Sequence, residues 1–435
     1  MKEIFSTYVN AFKLKDTRDK ILFTLAMIAL YRVGAHLPVP GINSAALHAF
    51  FKEQAGGLLG FYDMFAGGAF GRMTIFSLGI MPYISSSIIM SLLQVVIPSL
   101  EKLAKEGGEA GRRKIMQYSR YGTVFLALIN ALGISIWIQS IPNIVINPGL
   151  GFHITTVIAM TTGAIFIMWM GERITEKGIG NGASVLIFAN IVERIPWATR
   201  DAFRLIYNAQ MSPVVFIVIL AFMLAVTMAV VFIQGGTRRI PIQHARRVVG
   251  GRVYGGQTSY LPLKVDHSGV IAVIFASSIL LFPATIAQFS NIGFLQTLSK
   301  MFSPGALLHD LLYVLLIIFF CYFYTAIIVN PSDIAENLQK YGSFIPGVRP
   351  GKATSAFIDR ILTRITLAGA IFVALIAIMP YQLIRLAHVP FYFGGTSLLI
   401  VVGVSLEVAR QLESQLMMRH YEGFIRRGRI RSRGY

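Results

Sequence analysis

Charge is what this sequence has least of. Only 14% of its 435 residues are charged, whereas 55% are hydrophobic. Soluble domains carry roughly a quarter charged residues, so this composition excludes an ordinary soluble protein and indicates an integral membrane one. A mean hydropathy of +0.64 agrees. Cysteine is nearly absent as well. Cys321 is the single one and lies in an apolar run, which excludes an intrachain disulfide or a thiolate cluster. The eight histidines are scattered without an HExxH motif, so no metal site is legible. No GxxxxGK[ST] loop, GxSxG elbow or pair of carboxylates within an apolar run occurs. The expectation is a protein that is not an enzyme and holds no cofactor, with any work powered from elsewhere.

Acidic residues are the scarcer of the two signs. Asp and Glu number 20 against 39 Lys and Arg, for a net charge of +19. In a membrane protein such an excess holds loops on the cytoplasmic side. It also suits an anionic partner such as ribosomal RNA or anionic lipid headgroups.

What the sequence has in abundance is apolar runs. A bilayer-spanning helix needs about 20 predominantly apolar residues, and about ten stretches qualify on that basis. They are approximately 21–37, 74–97, 121–141, 152–170, 183–195, 213–234, 268–288, 307–329, 365–386 and 394–409. The first is expected to be retained, because no small-residue cleavage site follows it. The fifth is short by this count, with room to run past Pro196.

Loop charge sets the orientation. Lys102, Lys105, Arg112, Arg113, Lys114 and Arg120 separate spans two and three. Arg238, Arg239, Arg246, Arg247, Arg252 and Lys264 separate six and seven, and the C-terminus ends in six arginines from Arg419 to Arg433. Residues 143–151 carry neither Lys nor Arg. Both termini are therefore expected to be cytoplasmic. Five spans in each half would place the halves, 1–196 and 213–411, in opposite orientations, as in an inverted repeat. An external loop at 197–212 would join them, and a basic tail, 412–435, would follow.

Residues 60–97, GFYDMFAGGAFGRMTIFSLGIMPYISSSIIMSLLQVVI, are the most unusual stretch. A glycine-broken apolar piece precedes an apolar helix expected over Thr74–Ile97 that carries Ser85, Ser86, Ser87 and Ser91. Irregular backbone at membrane depth is tolerated only inside protein or beside a watery cavity, so this stretch points to a pathway. Ionisable residues are almost missing from the spans, which disfavours an ion-coupled transporter of small solutes, the alternative reading. Ser85, Ser86, Ser87, Asn130, Ser277 and Ser278 form a polar seam whose usual role is interhelical hydrogen bonding. Two cytoplasmic loops, about 235–267 and 330–363, exceed ordinary connections. The first alternates arginine pairs with β-branched residues and glycines, as a basic hairpin would.

Several motifs carry a specific resemblance. GIMPYISSSII (79–89), GEAGRRKIMQYSRYGT (108–123), ERITEKGIGNGAS (172–184), RVYGGQTSYLPLK (252–264), FIPGVRPGKAT (344–354) and VPFYFGGTSLLIVV (389–402) closely resemble the SecY family of the bacterial protein-translocation channel. The match runs in order through nearly the whole chain. The resemblance implies an all-α membrane fold of ten helices, in two halves around an hourglass pore for unfolded polypeptide. It implies a plug near 58–72, with Phe61, Tyr62, Met64, Phe65, Gly67, Gly68, Phe70 and Arg72. A pore ring would comprise Ile80, Ile84, Ile187, Ile274 and Ile400, with Ala183 at a position often occupied by isoleucine. Such a collar excludes water and ions by dewetting. A lateral gate would involve Ser87, Asn130 and Ser278. Arg238, Arg239, Arg246, Arg247, Arg252 and Arg349 would dock the ribosome and the SecA motor. Implied partners are SecE, SecG, the preprotein with its signal sequence, and a bacterial inner membrane.

Overall fold

The computed structural model describes residues 14–53, 62–63, 65–208, 212–244, 247–249, 252–254, 258–268, 270–288, 306–387 and 395–428. Phe61, Met64, Arg246 and the last arginines of the tail, Arg429, Arg431 and Arg433, lie outside them. The chain packs as two compact units. The first is Met1–Phe203 with Leu281–Ser303 and Val404–Tyr435; the second is Arg204–Leu280 with Pro304–Gly403.

The first unit begins with α1 (Lys15–Gly34) and α2 (Ser44–Glu53). Among the described residues that follow α2, 62, 63 and 65 are helical. The helix expected from Thr74 starts only at Met81, as α3 (Met81–Val96), with Pro82 in its first turn. Residues 66–80 are instead turns, because Gly67, Gly68 and Gly79 all adopt positive φ (65°, 76° and 55°). That backbone region favours glycine, which lacks a Cβ. The irregular piece is tied to the end of α1, where Val39 N–H donates to Met73 O (2.9 Å) and Ile75 N–H to Leu37 O (3.0 Å).

Pro98 ends α3. The residue before a proline is pushed out of the helical region, and Ile97 is extended (φ −99°, ψ 111°). The chain then turns by 100° into α4 (Pro98–Lys105). Two long apolar helices follow, α5 (Gly108–Gln139) and α6 (Leu150–Lys177). Helix α7 (Gly182–Tyr207) passes through Pro196. Residues 197–207, expected in an external loop, therefore continue the fifth helix.

The second unit opens with α8 (Pro213–Gly235), which contains an 18-residue stretch of mean hydropathy 3.1. Its side chains Val214, Ile217 and Phe232 are exposed, as suits a lipid-facing helix. Next come β1 (Thr237–His244), β2 (Arg247–Val249), β3 (Arg252–Tyr254) and β4 (Thr258–Lys264). They are followed by α9 (Val270–Gln288), α10 (Leu307–Ile328), α11 (Pro331–Lys340), β5 (Ser343–Phe344), α12 (Lys352–Ala387) and α13 (Gly395–Gly428). Asn330 caps α11 by accepting from Ser332 N–H (3.1 Å).

A helix meets each of the expected spans. Among the described residues five are individually long and apolar enough to cross a bilayer, or up to six when the bent pair α3–α4 is one span. The fold is that of a multi-pass, all-α membrane protein.

Candidate functional site

The plug-like segment is a packed knot within the first unit, helical at residues 62, 63 and 65 and folded into turns from 66. Tyr62, Phe65 and Phe70 are buried. Phe70 stacks on Trp137 of α5, with centroids 6.3 Å apart and planes 9° from parallel. It also meets Tyr62 and Phe51 edge-on at 4.7 and 5.3 Å. Such aromatic contacts add about 0.5–1.5 kcal/mol each beyond area burial. Thr74 and Ser77 hydroxyls both donate to Ala69 O, closing the turn from inside. Arg72 is the exposed member of the set.

Polar side chains from α1 and α7 clasp the same segment. Asn190, 1% exposed, donates to Phe65 O (2.7 Å) and to the Tyr31 hydroxyl (3.0 Å). Tyr31 in turn donates to Ala66 O (3.3 Å). Arg32 pairs with Glu193 and reaches Ala189 O (2.7 Å) and Asn190 Oδ1 (3.2 Å). Arg194 pairs with Asp63, whose other carboxylate oxygen accepts from Gly71 N–H (2.7 Å). None of these contacts was legible in sequence. The charged groups meet partners 131 or more residues away, apart from the Asp63–Gly71 bond, and no spacing rule joins them.

The expected ring residues are distributed over both units. Ile80, Ile84 and Ile187 belong to the first and Ile274 and Ile400 to the second; all are at most 5% exposed. Ile80 caps α3 and Ile84 lies one turn later, its N–H donating to Ile80 O (3.1 Å). Positions four apart share a helix face. Ala183 begins α7 and is half-buried. The backbone around it is crowded: a Cβ on Gly182 would strike the carbonyl of Gly171 on α6, and one on Gly171 would meet Ile80 Cδ1 at 3.4 Å.

The serines divide into two kinds. Ser86 donates to Ser119 O on α5 (2.6 Å), and Gly122 leaves room for it, so Ser86 knits α3 to α5. Ser87 is half-buried and its carbonyl accepts from Ser91 within α3 (2.8 Å). Asn130 is half-buried on α5. Ser278 is buried on α9 and donates to Ile274 O, one turn back (2.7 Å).

The two long loops form a single platform in the second unit. β1 pairs antiparallel with β4, Arg238 opposite Leu263 and Arg239 opposite Pro262. The other edge of β1 pairs with β5, so the sheet order is β4-β1-β5 and the second loop adds a strand to the first. His244 bridges them, its Nδ1 2.7 Å from Ser343 Oγ and its Nε2 3.2 Å from Ser259 Oγ. Beneath lies an apolar cluster of Ile240, Leu263, Ile345, Ile358 and Leu362, each at most 4% exposed. Arg238, Arg239 and Arg349 are exposed on this support. Glycines at 347 and 351 with φ of 80° and 94° shape the Arg349 turn, and Thr354 donates to Arg349 O (2.8 Å). β2 and β3 form a separate hairpin with Arg247 opposite Tyr254 and Val249 opposite Arg252.

The SecY family model matches residues 74–409. The chain belongs to the SecY family. The protein translocase subunit SecY of Aquifex aeolicus is 46% identical over 429 residues, covering 97% of this chain and 100% of the relative. A solved SecY whose plug domain stabilises the closed state of the translocation channel and maintains a membrane seal superposes with a TM-score of 0.64. Identity there is 18%, and the match covers 91% of this chain and 92% of that one. Sec61 in a canine ribosome-channel complex from the endoplasmic reticulum gives a TM-score of 0.60 at 15% identity, covering 91% and 92%. At these identities the structural likeness speaks for the fold. The small-solute transporter has no support among these SecY relatives.

Proposed function

We propose that this SecY-family chain is the pore-forming subunit of a protein translocase, carrying unfolded secretory polypeptides across the bacterial inner membrane and releasing membrane segments sideways into lipid. The observation that carries the reading is the knotted segment 62–72. It folds into turns from residue 66 and is tightly packed within the membrane-embedded unit, ahead of a helix that begins with two buried isoleucines one turn apart. A stopper joined directly to a seal is what a resting polypeptide pore requires.

In this reading two halves, 1–196 and 213–411, lie in inverted orientation with both termini cytoplasmic. Ile80, Ile84, Ile187, Ile274 and Ile400 form the collar. Stiff branched side chains exclude ions by dewetting and offer a passing chain no hydrogen bonds. Ser87, Asn130 and Ser278 lie along the lateral exit, where weakly polar contacts part at low cost. The chain is a conduit rather than an enzyme; SecA or a translating ribosome supplies the drive, and SecE and SecG complete the complex.

The platform is the docking surface in this scheme. Arg238, Arg239, Arg246, Arg247 and Arg252 suit RNA phosphates, and Arg349 suits the motor. The test is transport itself. Vesicles holding the purified complex, given motor, ATP and a preprotein, should shield the preprotein from protease. Shielding that ignores deletion of both cytoplasmic loops would overturn the docking scheme, and its absence under all conditions would overturn the function.

A further inference from the structure

We infer that Asn190, with the Arg32–Glu193 and Asp63–Arg194 pairs, is a latch that sets how readily this channel's plug leaves its seat. The inference rests on the plug reading of segment 62–72 and names the residues that would hold it shut.

Three features single the cluster out. Its acceptors on the plug side include main-chain carbonyls, those of Phe65 and Ala66, which any sequence there would present. The grip therefore depends on residues outside the segment. Next, the charges balance: two arginines and two carboxylates form two pairs, with side-chain exposures of 21% and 24% in one and 35% and 14% in the other. Partly exposed pairs of this kind separate at modest cost, whereas a buried unpaired charge is expensive. A holder that must release repeatedly needs that property. Finally, the fit is tight at one point. Gly67 sits at φ 65°, and a Cβ there would press on the Asn190 amide and come within 3.1 Å of the Arg32 guanidinium. The latch thus closes onto a glycine.

The two pairs act at different places. Asp63–Arg194 ties the start of the segment to α7, while the same carboxylate accepts from Gly71 N–H and so clamps both ends of the knot. Arg32 holds Asn190 in place through its Oδ1, freeing the amide nitrogen to donate to Phe65 O. Glu193 and Ala189 O fix Arg32 in turn. Asn190 is the contact residue, and Arg32 and Glu193 position it. A state in which the segment moves away must give up the Asn190–Phe65, Tyr31–Ala66 and Arg194–Asp63 bonds. Removing one lowers the cost of opening without altering the open channel, which is a population shift.

The experiment is single-channel recording in planar bilayers on the purified complex. Asn190→Leu and Asp63→Asn should each raise resting open probability. A net hydrogen-bond contribution corresponds to about three- to tenfold for the amide, and a partly exposed ion pair to about fivefold at most. Asp63→Asn combined with Arg194→Gln should give less than the product of the two single effects, the signature of a shared pair. Exchanging the charges, Asp63→Arg with Arg194→Asp, should return open probability toward the parent, a rescue that general misfolding does not produce. A deletion of 62–72 separates the two levels of the argument. If the deletion raises conductance and the point variants do not, the latch is wrong and the plug stands. If the deletion itself leaves resting conductance unchanged, the plug reading falls and the latch with it.

Discussion

Gly182→Ala offers a direct check on how the seal is positioned. The first turn of α7 crosses α6 at Gly171, and a Cβ on residue 182 would run into the Gly171 carbonyl and lie 3.0 Å from its Cα. Both obstacles are backbone, so no side-chain rotation relieves them. The local bonding is equally tight: Gly182 N–H donates to Thr175 Oγ1 (2.9 Å), which donates to Gly171 O (2.9 Å). Overpacking a well-filled site costs about 1–3 kcal/mol. Alanine returns up to about 1 kcal/mol through helix propensity. A net loss of about 1–2 kcal/mol shifts the folded-to-unfolded ratio by roughly five- to thirtyfold. Because Ile187 follows a little over one turn later, the displaced turn should also open the seal and raise ion leak. Gly151→Ala is the internal control, since nothing lies within 4 Å of a Cβ in that first turn of α6. Denaturant midpoints in detergent and ion flux from vesicles read the two effects. If Gly182→Ala matches Gly151→Ala in both, the close crossing is not what fixes Ile187.

The other expectations concern the collar and the cytoplasmic face. Ile84→Asp and Ile187→Gly should make vesicles holding the resting channel leak ions; tight vesicles would remove those residues from the seal. Arg349→Glu should cripple motor-driven transport in vesicles while the complex purifies at normal yield, because the side chain is exposed. Ile358→Ala should cost about 2–5 kcal/mol, since Ile358 is 0% exposed at the centre of the cluster beneath the sheet, and hydrogen exchange at 343–345 would report the loosening. His267 should make the platform sensitive to acid. Burial, and then the Lys264 ammonium, push its imidazole below the usual 6.5 against the pull of Asp266. The unfolded chain therefore takes up a proton first as pH falls through about 6.5, so stability present above that pH is lost below it. His267→Gln should flatten this dependence in acid unfolding of the platform.

Composition and apolar runs made much of the fold legible, because bilayer thickness dictates helix length and hydropathy records it directly. The second and fifth expected spans show where that logic ends. Residues 74–80 are apolar enough to be helical, but Gly79 at positive φ and the tie of Ile75 to Leu37 hold them in turns. The count of apolar residues left the end of the fifth span open at Pro196, and α7 continues through it to Tyr207. The platform was half visible: arginine and β-branched alternation marked β1 and its partners, but nothing local showed that Ser343 and Phe344 would complete the sheet. The cluster around Asn190 was invisible, because Tyr31, Asp63 and Asn190 meet only once three distant segments have folded together.

The most direct measurement is to stall a secretory polypeptide midway and test crosslinking to single cysteines placed at Ile84 and Ile274 in an otherwise cysteine-free chain. A polypeptide pore ringed by both residues gives adducts at both positions, dependent on the stalled chain being present. Adducts at neither position, while the preprotein is still transported, would contradict passage through this channel.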